Sequence, residues 1–114
     1  GSIVELYDTT LDNVTVTPGS TYKIVEDQFR DDIKEIRGVL RWAFSSARNW
    51  SLTINYLRSD GGLQNVTTTQ RIDFNRQEAL VEPMPILTNK WNLEITNLTE
   101  NDQIFQRGTI IGVR

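Results

Sequence analysis

The residues able to do chemistry in this 114-residue chain are few in kind, because it contains no cysteine and no histidine. Without thiols there is no disulfide, no thiolate zinc site and no cysteine nucleophile; without imidazole the commonest general base and metal ligand is missing. Ser-His-Asp and Cys-His arrangements are therefore excluded. Carboxylate, lysine, tyrosine or serine-lysine chemistry remains. Glu82 and Glu94 are the first pair to consider for glycoside hydrolysis, which needs an acid and a base or nucleophile on either side of a bond. With fifteen acidic residues in the chain, however, such a pair arises without selection. The chain is read as non-enzymatic, and no cofactor is expected.

Glu26, Asp27, Asp31, Asp32 and Glu35 form an acidic cluster of the kind that can hold a hard cation. Their spacing lacks the glycine-containing loop of an EF-hand, and Arg30, Lys34 and Arg37 lie among them. A solvated, salt-bridged face is expected there, and no metal. The aromatic residues raise a different chemistry, the stacking of a sugar ring on an exposed ring face. Trp42 and Trp91 alternate in phase with aliphatic neighbours and belong to a core. Trp50 follows Arg48-Asn49 at a loop-to-strand junction, where it can stay exposed, and with Tyr56 and Tyr22 it makes up the candidate ligand-stacking surface. Asn13, Asn49, Asn65 and Asn97 each begin an Asn-X-Ser/Thr sequon, which a chain so rich in asparagine and threonine produces by composition.

These residues must be positioned by strands. β-Branched residues fall into short alternating runs bounded by turn formers. The clearest are Ser51 to Arg58, with Leu52, Ile54 and Tyr56 on one side, and Trp91 to Asn97, with Trp91, Leu93 and Ile95 on one side. Glu35 to Ser45 sets Ile36, Gly38, Leu40, Trp42 and Phe44 opposite Glu35, Arg37, Val39 and Arg41, and is expected mid-sheet. Ile3 to Tyr7, Val14 to Thr17, Thr21 to Val25, Asn65 to Phe74, Ala79 to Leu87 and Gln103 to Val113 bring the total to about nine strands. Pro18-Gly19, Asp60-Gly61-Gly62 and Glu100-Asn101-Asp102 lie between runs and predict hairpins. Pro83 and Pro85 cannot donate ladder hydrogen bonds, so their segment is expected at an edge or irregular.

Val25, Phe29 and Ile33 recur every four residues among charged neighbours, a spacing that breaks the β pattern and predicts a short amphipathic helix near 26–34, closing one end of the sandwich. The last run carries two apolar phases, Ile104 and Ile110 in one and Phe105, Ile111 and Val113 in the other, with Gly108 as a bulge that switches between them. A strand apolar on both faces must be covered on both. These five residues are the candidate oligomer interface.

The expected fold is thus all-β, a two-sheet antiparallel β-sandwich of jelly-roll type, formed by one domain over 3–114, with Gly1-Ser2 read as a remnant of cloning. Apolar residues make up 38% and charged residues 24% of the chain, at a net charge of -3. No basic field competes for phosphate backbones or anionic lipid, so neither nucleic acid nor membrane is an expected partner. No apolar run approaches the roughly 20 residues that span a bilayer, and the first residues do not read as a signal peptide.

With its Pro18-Gly19-Ser20-Thr21-Tyr22 turn and Arg58-Ser59-Asp60-Gly61-Gly62 hairpin, the layout resembles the small β-sandwich and jelly-roll proteins of virus particles, the capsid, decoration or spike components of phages and archaeal viruses. The resemblance implies a non-catalytic structural role, assembly as a homo-oligomer or with other virion proteins, and a virion or extracellular location. The alternative is a carbohydrate-binding or adhesion module, with a glycan as ligand.

Overall fold

The computed structural model describes residues 2–9, 13–43, 49–73 and 77–114. Nine strands run through them: β1 (Ile3–Thr9), β2 (Val14–Val16), β3 (Thr21–Phe29), β4 (Glu35–Trp42), β5 (Trp50–Leu57), β6 (Leu63–Ile72), β7 (Glu78–Pro85), β8 (Lys90–Asn97) and β9 (Gln103–Val113). They form two antiparallel sheets packed face to face. The five-stranded sheet has the order β1-β9-β4-β7, with β2 also paired to β9, and the four-stranded sheet has the order β3-β8-β5-β6. The pairs nest about the β5–β6 turn, since β5 pairs β6, β4 pairs β7, β3 pairs β8 and β2 pairs β9.

That nesting corrects the hairpin expectation at two of its three turns. Only Arg58–Gly62 closes a hairpin, with Arg58 and Gly62 joined main chain to main chain at 2.7 Å, Asp60 accepting from the Gly62 N–H, and Gly61 at φ 90°. Pro18-Gly19 and Glu100-Asn101-Asp102 instead carry the chain from one sheet to the other. Turn residues set local backbone angles and leave open whether the next strand pairs with the last one.

The helix near 26–34 is also corrected, because β3 continues to Phe29 and no helix occurs among the described residues. β3 shifts register between Lys23 and Val25 and again between Val25 and Gln28. Each irregularity resets the alternation, so that the consecutive residues Ile24 and Val25 are both buried. A strand with reset phase imitates helical spacing. β9 does the same: Arg41 pairs with Arg107 and Trp42 with Phe105, which leaves Gln106 as the extra residue. The expected phase switch therefore exists, and its bulge lies two residues ahead of Gly108.

Inside lies one layer of large side chains. Trp42 and Trp50 meet across the two sheets at 5.3 Å between ring centroids, Trp42 touches Phe105 at 6.2 Å, and Phe105 meets Tyr22 of the opposite sheet at 5.7 Å. Leu52, Ile54, Leu93 and Ile95 from one sheet and Ile36, Leu40 and Ile110 from the other complete the core, all fully buried. β4 lies between β9 and β7, and its Ile36, Leu40 and Trp42 turn inward as their alternation requires. Phe44 lies outside the described residues. β7, with its two prolines, is an edge strand whose register shifts opposite Arg37. The two ends of the chain run side by side, since Ile3 pairs with Val113 and the Arg114 N–H donates to Ser2 O at 3.0 Å.

Gly38 of β4 packs tightly against Thr109 and Ile110 of β9. A Cβ there would overlap the Thr109 carbonyl oxygen and press on Ile110 Cδ1. Gly38→Ala is therefore expected to destabilise the fold by about 2–3 kcal/mol, the cost of overpacking against main chain that cannot yield, measurable as a lower urea midpoint at unchanged slope.

Candidate functional site

The two outer faces differ in chemistry. On the four-stranded sheet, register places Thr21, Thr96, Ser51 and Arg71 in one row, Lys23, Glu94, Thr53 and Thr69 in the next, and Asn92, Asn55 and Thr67 in a third. Neighbours bond to each other: Thr21 to Thr96 at 3.0 Å, Thr53 to Thr69 at 3.3 Å, and Asn55 Nδ2 to Asn92 Oδ1 at 2.8 Å. These three rows are polar and their hydroxyls are partly self-satisfied, while Leu63 and Val66 are exposed near the β5–β6 turn.

The five-stranded sheet presents a mixed face. Its rows read Ile3, Val113, Glu35 and Pro85; then Glu5, Ile111 and Arg37; then Asp8, Thr109, Val39 and Leu80; then Arg107, Arg41 and Glu78. Apolar side chains stand between ion pairs, Arg37 with Glu35 and Arg41 with Glu78, each at 2.7 Å. Ile3 is 65% and Leu80 78% exposed. A groove of about 960 Å³ follows the β7 edge, lined by Val39, Arg41 and Leu80 on one side and Gln70, Arg71 and Asp73 on the other.

The candidate stacking residues are not on either face. Trp50 has no exposed surface because β5 begins at Trp50 itself, which puts the ring in phase with Leu52, Ile54 and Tyr56. Asn49, at φ 62°, makes the turn that permits this start, and it is held to Leu98 by the Leu98 N–H donating to Asn49 O at 2.9 Å and by Asn49 Nδ2 donating to Leu98 O. Tyr56 is buried as well, with its hydroxyl donating to Pro85 O at 2.6 Å and meeting Thr68 Oγ1; burial raises its pKa above the usual tyrosine value. Tyr22 is half-buried against Phe105. Three rings read as a platform thus belong to the interior.

The candidate interface residues divide. Phe105 and Ile110 point into the sandwich and are fully buried, whereas Ile104, Ile111 and Val113 point outward and are half-buried. Glu82 and Glu94 sit in different sheets, Glu82 on the β7 edge and Glu94 on the polar face, so they are not brought together as an acid-base pair. Of the sequon residues, Asn97 is fully buried; its Nδ2 donates to Val16 O at 2.8 Å and Asn101 O at 2.9 Å, and its Oδ1 accepts from Thr99 N–H at 2.8 Å. Asn97 therefore fastens the Pro18-Gly19 crossover to the Glu100–Asp102 crossover. Asn13 and Asn65 are exposed.

In the acidic cluster, Asp32 binds Arg30 through both carboxylate oxygens, at 3.0 and 2.9 Å, and also accepts from Arg114 Nε at 2.9 Å. The Arg30 guanidinium, and after it that of Arg114, lowers the Asp32 pKa to about 2. Glu35 is paired with Arg37. No group of three potential ligands gathers for a metal among the described residues.

Sequence comparison finds neither a family model nor a curated protein that matches this chain. Solved structures do match in fold. The infectious bursal disease virus particle aligns with a TM-score of 0.59 at 13% identity, over 99% of this chain and 31% of that one. The PBSX exported protein XepA aligns with a TM-score of 0.53 at 16% identity, over 99% and 37%. An exo-β-1,3-galactanase from Phanerochaete chrysosporium, solved with galactose, aligns with a TM-score of 0.52 at 12% identity, over 97% and 26%. This chain thus spans about a third or less of the first and third chains and little more of the second, and at such identities the likeness is one of fold.

Asp32 predicts an acid limb. A carboxylate whose pKa is about 2 folded and 3.8 unfolded contributes stability that is complete above the unfolded value and is lost as pH falls through the folded one. Asp32→Asn should flatten the loss of thermal stability between about pH 4 and pH 2, as followed by melting temperature across that range.

Proposed function

We propose that this chain is a non-enzymatic structural protein of a virion, a capsid, decoration or spike component, that assembles as an oligomer through the outer face of its five-stranded sheet. The observation that carries the reading is the contrast between the outer faces, one polar across its three central rows and the other set with Ile3, Ile104, Ile111 and Val113 beside the Arg37–Glu35 pair. Apolar groups half-covered on the face of a β-sheet, flanked by ion pairs, have the composition of a surface that finishes its burial against a neighbour. The nested strand pairing, which we read as a jelly roll, and the fold likeness to the bursal disease virus particle support the same assignment.

The galactanase likeness supports a second reading, a carbohydrate-binding or adhesion module. With Trp50 and Tyr56 inside, the contacts would fall to the hydroxyl and amide rows of the four-stranded sheet. A glycan array decides that point, and an absence of binding across it removes the reading.

For the oligomer, sedimentation velocity is expected to find wild type as a closed assembly and both Ile3→Glu and Ile111→Glu as monomers with unchanged far-UV dichroism. A wild-type chain that stays monomeric at every concentration overturns the proposal.

A further inference from the structure

The β7 edge carries a feature that the proposed assembly face does not use. Trp42 N–H donates to Gln77 O at 2.8 Å, and the register is regular from Arg41–Glu78 to Gly38–Val81. In an antiparallel pair, alternate residues turn both main-chain groups toward the same neighbour. Gln77, Ala79 and Val81 therefore bond to β4, while Glu78, Leu80 and Glu82 turn their N–H and C=O groups away from it, toward the groove. Glu82 bears this out: its N–H donates to Gln70 Oε1 at 3.0 Å and its C=O accepts from Gln70 Nε2 at 3.1 Å. The Gln70 carboxamide thus makes with Glu82 the two hydrogen bonds that one residue of an adjoining strand would make. Leu80, one step along the edge, has no such partner among the described residues, and its side chain is the most exposed of the large apolar ones.

We propose that β7 is a strand-addition edge gated by Gln70, and that its occupant is the β7 edge of a second copy, paired antiparallel about Leu80. In that register Leu80 of each copy exchanges both main-chain bonds with Leu80 of the other, and Val39 and Leu80 of both copies form one apolar strip. Glu78 of one copy then faces Glu82 of the other. Arg41 answers that juxtaposition: it holds Glu78 through Nη1 and Gln106 through Nε, which leaves Nη2 for the second copy's Glu82. The charges therefore complement each other across the two-fold axis, where bare carboxylates would repel. With Gln70 in place only the Leu80 bonds can form. Once Gln70 swings out, the Glu78–Glu82 positions pair as well, and the two five-stranded sheets join into one.

The test compares wild type, Gln70→Ala and the double variant Gln70→Ala/Leu80→Pro by sedimentation equilibrium, in an Ile111→Glu background that removes the assembly face proposed above. Gln70→Ala is expected to dimerise at concentrations where its Ile111→Glu parent sediments as a monomer, a tightening of at least about tenfold, which corresponds to about 1.4 kcal/mol. Leu80→Pro should reverse this, because the proline deletes an N–H that points away from β4 and spares the pairing within the fold. Amide exchange gives a readout independent of folding yield: Leu80 should become protected as the Gln70→Ala concentration rises. Self-association of Gln70→Ala no tighter than that of its parent, or association that survives Leu80→Pro, overturns the proposal.

Discussion

Everything else in this molecule hangs on a chain of aromatic contacts that crosses between the sheets twice, from Trp50 to Trp42, along to Phe105, and back to Tyr22. Each ring sits on a different strand, three of them consecutive (β3, β4 and β5) and the fourth, β9, at the far end of the chain. Loss of such a ring typically costs about 3–5 kcal/mol, a large part of the margin by which a domain of this size is folded. The indole N–H groups of Trp50 and Trp91 are buried without acceptors among the described residues, so this core is held by apolar area and shape, with little polar bonding. The bulges in β3 and β9 follow from that need: where simple alternation would turn a residue outward, an extra residue brings Val25, Phe105 or Ile110 back to the inside.

Once the rings fill the interior, function is left to the surfaces, and the two sheets divide the work. Polar rows that bond among themselves keep one face hydrated and unattractive to a neighbour. The opposite sheet keeps isoleucine and valine half-covered, with Arg37 and Arg41 already paired to Glu35 and Glu78, so that in the proposed assembly those charges would enter a dry contact with their partners. At the groove edge Gln70 adds a further control, because a side chain standing in for a peptide can withdraw where a covalent strand cannot.

Strand positions were legible in the sequence because alternation is a local property: Leu52, Ile54 and Tyr56, or Trp91, Leu93 and Ile95, declare their common side within a few residues. Sheet membership was less legible. Pro18-Gly19 looks like a hairpin turn in isolation, and only the pairing of β3 with β8, a strand far along the chain, makes it a crossover. Trp50 was misplaced for a similar reason, since its phase depends on where β5 starts, and that start rests on Asn49 and its bonds to Leu98. Splitting the β9 residues needed the position of one bulge, at Gln106, and the pairing of Gln70 with Glu82 leaves no periodic trace at all.

The adjacency of the chain ends has a consequence of its own. Ser2 and Arg114 are hydrogen-bonded on neighbouring strands, so the fold has a single point of entry and exit, opposite in connectivity to the Arg58–Gly62 hairpin about which its strand pairs nest. A polypeptide shaped this way can be spliced into a loop of a larger protein, or have its ends joined and be reopened elsewhere, while every strand keeps its neighbours. The sandwich is, in engineering terms, a cassette.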